Sequence, residues 1–284
     1  MWNFYDELCT GIPSGIRIEG CVVGKLWTTV RANGNIGVAR TLGDTDCDLN
    51  ALAQSMIGTY LRDAANWMKW GDSLLRASIG VAAMNAFYNC TEKAGALNAP
   101  PEFQNELSGK KVVIIGDLPN LSSGLKEYCD LTVLPLPESK DFGTAYDEAM
   151  TADLVFISGE ALINRTLPAL LSKVGEDTKV SLAGVSVPAA PVFFAFGNPV
   201  HNVSGVYAKF DTTVEGAARQ NIADLTPGVT PFSLNPVEPV HLHEREEVKR
   251  YQASPYQSVK FNSAFNPWEG KDYDRSVWSP LFKG

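Results

Sequence analysis

The sequence predicts a mixed α/β protein of two units, an N-terminal α+β unit followed by a parallel, doubly wound sheet. Three observations carry this. Short β-rich runs joined by tight turns open the chain, and two helical segments follow them. Later apolar runs are nearly continuous and alternate with helical stretches, the pattern of strands buried on both faces. Between the two textures lies a polar stretch, Asn98 to Ser108, that contains Pro100-Pro101.

Residues Ile16 to Val23 alternate and are β-rich, Leu26 to Arg31 reads LWTTVR, and Ile36 to Thr41 reads IGVART. Asn33-Gly34-Asn35 is a turn signal between the last two. Runs this close in sequence predict an antiparallel meander. Leu49 to Leu61 and Ser73 to Tyr88 predict two helices, the second carrying Ala77, Gly80, Ala82, Ala83 and Ala86, which allow close packing. In the second half, Lys110 to Gly116, Asp130 to Leu136, Asp153 to Ser158, Lys179 to Ala183 and Val203 to Phe210 read as five strands, with helical stretches such as Leu162 to Val174 between most of them. The resulting division is 1–98, 109–235 and a tail, 236–284. The tail is rich in Pro, aromatic and charged residues and is expected to pack on the body or on a neighbouring subunit.

Composition narrows the function. The chain has 284 residues, with 45% hydrophobic and 20% charged, which excludes wholesale disorder. Its 24 basic and 32 acidic residues leave a net charge of −8, a poor match to a phosphate backbone, so no nucleic-acid partner is expected. No run approaches the ~18 apolar residues of a membrane span, and the N-terminus MWNFYDELC does not read as a secretory signal. Cys9, Cys21, Cys47, Cys90 and Cys129 are scattered, without CxxC, which argues against a disulfide framework or structural zinc and for reduced thiols in a cytoplasm.

In a parallel doubly wound sheet, ligands sit beyond the carboxyl ends of the strands, so the loops there are the candidate site. The first reads Gly116-Asp117-Leu118-Pro119, neither GxGxxG nor a Walker A loop. It is either a plain strand-to-helix turn or the holder of an anionic group at a helix start near Leu121. Glu138 follows the second strand, where an acidic residue can bind ribose hydroxyls. Ser158-Gly159-Glu160 follows the third, with Asn164 and Thr166 as helix caps, ligand contacts or both. Ser186 and Pro188 follow the fourth, with Ser186 read as a cap for a helix whose first turn holds Pro188, or as a donor to an oxyanion. Asn85 stands in an apolar helical run and needs partners, either a neighbouring loop or an interdomain cleft. His241 and His243 would share one face of an extended strand, which allows metal chelation, although a lone HxH also reads as a solvated surface feature. No nucleophile, base and orienting group stand together, so no residue is given a catalytic role.

The order of these motifs resembles a known family. Val23-Gly24-Lys25-Leu26-Trp27-Thr28-Thr29-Val30, Ile36-Gly37-Val38-Ala39 and Ser78 to Ala86 in the first half are followed by Val113-Ile114-Ile115-Gly116 with Pro119, then Ser158-Gly159 with Asn164 and Thr166. Gly184 with Ser186 and Pro188, then Ser204-Gly205, complete the series. Over roughly residues 10–225 this is similar to the DUF364 family, described as heavy-metal chelation proteins, with a DUF4213 domain at the N-terminus. The resemblance implies a first domain similar to the enolase N-terminal fold, a Rossmann-like second domain and a site between them. Its matching positions are Asn85, Gly116, Pro119, Ser158, Gly159, Asn164, Thr166, Ser186 and Pro188. Two departures stand out: Leu118 replaces an aromatic before Pro119, and Val187 replaces a threonine before Pro188.

Two functions follow as expectations. The first is a protein that binds a small molecule or metal chelate in the interdomain cleft, with oxygen ligands from Asp117, Glu138 or Glu160. The alternative is an enzyme that acts on a small anionic metabolite or nucleotide-containing ligand, with Lys25, Arg40 or Arg62 neutralising its charge. The expected cofactor is accordingly a metal ion or a nucleotide-like ligand. The expected assembly is a homodimer or a higher homo-oligomer.

Overall fold

A computed structural model describes residues 3–70, 73–90, 107–138, 142–194, 200–208 and 212–234. It is a mixed α/β structure with two sheets, one antiparallel with three strands and one parallel-rich with six.

Helix α1 (Asn3–Thr10) precedes the meander of β1 (Ile18–Val23), β2 (Trp27–Ala32) and β3 (Asn35–Arg40). Asn33 and Gly34 both have positive φ, 49° and 75°, the two-residue turn whose twist matches flanking antiparallel strands. Helices α2 (Leu49–Met56), α3 (Leu61–Asn66) and α4 (Leu74–Tyr88) follow. The expected helix from Leu49 to Leu61 therefore stops at Met56, and a further helix, α3, starts at Leu61. The chain leaves the helix after Met56, and the N–H of Gly58 bonds the carbonyl of Ile18 instead of a helical partner. Helix α4 begins where expected, because the Ser73 side chain accepts from the N–H of Arg76.

Helix α4 is apolar on all sides and buried on nearly all of them. It lies against β2 and β3 on one side and α3 on another. The approach is set by missing side chains: a Cβ on Gly37 would stand 2.0 Å from the carbonyl oxygen of Ala82.

The second sheet runs in the order β5-β4-β6-β7-β8-β9. Its strands are β4 (Lys111–Ile115), β5 (Asp130–Leu134), β6 (Leu154–Ser158), β7 (Lys179–Ala183), β8 (Val200–Ala208) and β9 (Val229–Leu234). The first five are parallel, as their apolar runs predict. The sixth is a correction to the five expected strands. It pairs antiparallel with β8 and carries Pro231, which is tolerated because β9 is an edge. Helices α5 (Pro119–Leu125), α6 (Thr144–Ala149), α7 (Glu160–Ile163), α8 (Leu167–Leu171) and α9 (Thr213–Gln220) fill the connections. The expected helix from Leu162 to Val174 is interrupted where Arg165 takes a φ of 64°, between α7 and α8.

Both faces of the six-stranded sheet are covered. Val112, Ile114, Leu154 and Phe156 meet Leu107, Leu121 and Leu125 on one face. Val113, Ile115, Val155, Ile157, Val180 and Leu182 join a core on the other, and that core continues through Val30, Ala82 and Met84 of the first half. A further cluster joins Val22, Trp27, Ile36 and Val38 to Val206, Val214 and Ala218. The three-stranded sheet thus has α4 on one face and α9 on the other. The carboxylate of Glu215 in α9 holds the Arg31 guanidinium at 2.8 Å. No helix among the described residues is long and apolar enough to cross a membrane.

Candidate functional site

Strand order reverses between β4 and β6: the chain leaves β4 towards β5, then returns to place β6 on the opposite side. Ligands bind at such points, because the two loops diverge and leave a crevice at the carboxyl ends of the strands. Here the loops are Gly116 to Pro119 and Ser158 to Glu160. They stand close together. Gly116 has a φ of 102°, and a Cβ there would lie 2.5 Å from the Cβ of Ser158. Gly159 is equally constrained, since its Cβ would lie 2.7 Å from the backbone of Ser186 in the loop after β7.

Charge gathers at these loops. Glu160 opens α7 and is half-buried, and its backbone N–H donates to the Ser158 Oγ at 3.3 Å. Burial pushes its carboxyl up to about 7. The Arg40 guanidinium draws it back down, and the Asp117 carboxylate pushes it up. Arg40 comes from the end of β3, on the other sheet. Its guanidinium carbon lies 5.0 Å from the centre of the Trp27 ring, and its backbone N–H donates to the Ser186 Oγ at 2.9 Å. Trp27 is itself held, with its Nε1 donating to the carbonyl of Ile222 at 3.0 Å.

Two asparagines four residues apart, Asn85 on α4 and Asn89 at its C-terminal cap, tie the first half to the loop after β7. Asn85 donates from Nδ2 to the carbonyls of Val38, at 2.6 Å, and Val185, at 3.2 Å. Its Oδ1 is buried without a hydrogen-bond partner. Asn89 donates to the carbonyls of Val187 and Val206, and its Oδ1 accepts the N–H of Ala189 at 2.7 Å. Asn89 was missed in the sequence, although its spacing from Asn85 is the signal that would have found it.

The remaining expected residues divide into two groups. Ser186 is buried and bonded to Arg40, so it caps no helix, and the segment through Pro188 is irregular up to a short 3-10 turn at Pro191–Phe194. The expected capping role of Ser186 is corrected on that ground. Asn164 and Thr166 serve the backbone: Asn164 Oδ1 accepts from both N–H and Oγ1 of Thr166, and its Nδ2 donates to the carbonyl of Pro137. Thr166 is fully buried. Leu118 fills the core under α5, and Pro119 is the first residue of that helix. Glu138 is exposed at the end of the loop after β5. Arg62 bonds the carbonyls of Ile12 and Thr10, which removes it from the candidate charge carriers. His241 and His243 lie outside the described residues.

Among the described residues, no three His, Cys, Asp or Glu side chains stand together as a metal cluster. The five cysteines are unpaired, and burial pushes the Cys9 and Cys21 thiols up to about 12, well away from nucleophilic use.

Comparison with known proteins agrees with the order of these motifs. The DUF4213 model, described as "putative heavy-metal chelation", matches residues 5–88, and the DUF364 model, with the same description, matches residues 99–222. No curated protein matches. A protein of unknown function from the DUF364 family of Desulfitobacterium hafniense DCB-2 shares 28% identity, with a TM-score of 0.71 over 82% of this chain and 97% of that one. A DUF364 protein of unknown function from Pyrococcus horikoshii shares the fold at 17% identity and a TM-score of 0.63, over 82% of this chain and 98% of that one. With a region similar to DUF4213 followed by a region similar to DUF364, and its motifs in that order, the chain resembles the proteins of the DUF364 family.

Proposed function

We propose that the chain binds a small organic ligand as the chelate of a metal, in a cleft between the end of β3 and the loops after β4 and β6. One observation carries this reading. Glu160 is half-buried where strand order reverses, within electrostatic reach of Asp117 and of Arg40 from the other sheet. The family description supports the metal. The donor set supports the chelate: hard cations take about six to eight oxygens, and Asp117 and Glu160 offer two carboxyl groups. The fit is to a metal that brings further ligands with it. Arg40 would balance the excess negative charge of the chelate. The first unit as enolase-N-like, the second as Rossmann-like, and the division near residue 98 belong to this proposal.

Calorimetric titration with divalent metals, each with and without citrate, tests it. The expected result is binding of a metal citrate to the wild type, weakened about tenfold or more in Glu160→Gln and Arg40→Ala, as loss of one desolvated charge implies. Equal binding by wild type and both variants, or no binding by any, overturns the proposal.

A second reading, an enzyme acting on a small anionic metabolite, is favoured by the Glu160 carboxyl itself. A carboxyl near 7 is suited to moving protons at neutral pH. Turnover with a pH-rate limb near 7, lost in Glu160→Gln, would mark this reading.

A further inference from the structure

Arg40 is a half-buried cation whose side-chain donors are unspent. Arg17, Arg31, Arg62 and Arg165 each donate from the guanidinium to a protein oxygen. Among the described residues, the Arg40 guanidinium has no such bond and no ion pair, although Glu160 is within its electrostatic reach. It lies instead over the ring of Trp27. That ring is a fixed platform. Trp27 is buried, and its Nε1 donates to the carbonyl of Ile222, just past α9. The backbone N–H of Lys25 donates to the Asn221 side chain at 2.6 Å, so the turn between β1 and β2 is tied twice to the end of α9.

We propose that the Arg40 guanidinium takes one carboxylate of the ligand by two parallel hydrogen bonds, and that Trp27 is the positioning residue that holds it for this. The inference rests on the cleft reading above and narrows the ligand to a chelator that keeps one carboxylate free of its metal. A guanidinium is planar, and its N–H donors form a rigid fork within that plane. Giving one face to a ring leaves the fork free. Donors out of bulk water and without an acceptor are costly, and the acceptor that matches the fork is the pair of oxygens of a carboxylate. A carboxylate also brings one negative charge for one cation, whereas a phosphate would add a second in the field of Asp117 and Glu160. Balancing charge alone would need only a cation. A cation fixed over a buried ring adds geometry to charge.

Calorimetric titration of the full chain with citrate, in excess magnesium, manganese or zinc, tests this with four variants. Arg40→Lys is expected to weaken binding about tenfold or more, as Arg40→Ala does, because an ammonium keeps the charge and loses the fork. Trp27→Leu is expected to bind about fivefold or more weakly than Trp27→Phe, which keeps a ring under the cation. Both Trp27 variants lose the Nε1 bond to Ile222, so their difference reports the ring and not the bond. Binding that Arg40→Lys keeps and Arg40→Ala loses overturns the fork and leaves the cleft reading standing, since charge alone would then suffice. Equal binding by Trp27→Phe and Trp27→Leu overturns the role of Trp27. A wild type that binds citrate with none of the three metals removes the cleft reading and this inference with it. Where circular dichroism shows the Trp27 variants unfolded, the comparison of Lys with Ala at the half-buried Arg40 decides.

Discussion

The Oγ of Ser186 accepts the backbone N–H of Arg40 at 2.9 Å, which ties the end of the third strand of one sheet to the loop after β7 of the other. This bond spans 146 positions in sequence. Arg40, with its guanidinium over the Trp27 ring, is thereby within electrostatic reach of Glu160, so a cation from the first half acts on a loop of the second.

Stability should fall as pH rises through the window in which folded and unfolded Glu160 differ. The folded carboxyl titrates near 7 and the unfolded one near 4.5, so between these values the folded protein holds the extra proton. Its advantage is complete at lower pH and lost towards pH 7. Glu160→Gln should remove that slope and be the more stable protein at pH 8, by on the order of 2 kcal/mol or less. Urea midpoints of both proteins from pH 4 to 8 check this, and parallel curves would refute it.

The Gly37 contact should tolerate no side chain. Its Cβ would meet the backbone of α4 on two sides, at Ala82 and Ala86, and backbone yields little. Gly37→Ala should cost about 3 kcal/mol. Gly124→Ala in α5, where nothing lies within 4 Å, should instead gain about 0.5–1 kcal/mol from helix propensity. Thermal unfolding of the two variants gives the comparison.

At Asn85, the identity of the lost group should matter more than its size. Asn85→Ala leaves the carbonyls of Val38 and Val185 without their shared donor, at about 1–3 kcal/mol. Asn85→Asp points a carboxylate at those same carbonyls and should be worse than Ala, despite its nearly identical shape. The order of the two melting temperatures decides the matter.

The Arg31–Glu215 pair should be coupled, because the Glu215 side chain is only 12% exposed. Truncating either partner strands the other near the core, so Glu215→Ala and Arg31→Ala should each cost about 1–3 kcal/mol. The double variant should then cost clearly less than their sum. Additive losses in a double-mutant cycle would show that the pair contributes nothing of its own.

What the sequence shows of this fold is what local chemistry decides. The Asn33-Gly34 turn, the Ser73 cap and the apolar runs of β4, β6 and β7 are each legible from a few neighbouring residues, because a positive φ, a free N–H or a two-sided buried strand has its own residue signature. The misread elements are those whose local signal was overridden. Gly58 bonds its N–H to Ile18 and ends α2, Arg165 adopts a left-handed turn between α7 and α8, and Pro231 disguises an edge strand that β8 supports.

For the candidate site, the sequence by itself pointed to loops: Gly116, Asp117, Ser158, Gly159 and Glu160 follow runs read as parallel strands. Only the tertiary structure decided that Arg40 comes within electrostatic reach of Glu160, that Ser186 serves Arg40 rather than a helix, and that Asn164 and Thr166 are spent on each other. The reason is physical. Strand and turn preferences act over a few residues, whereas the partner of a side chain is fixed by which surfaces a shared core presses together, and that core joins residues more than a hundred positions apart.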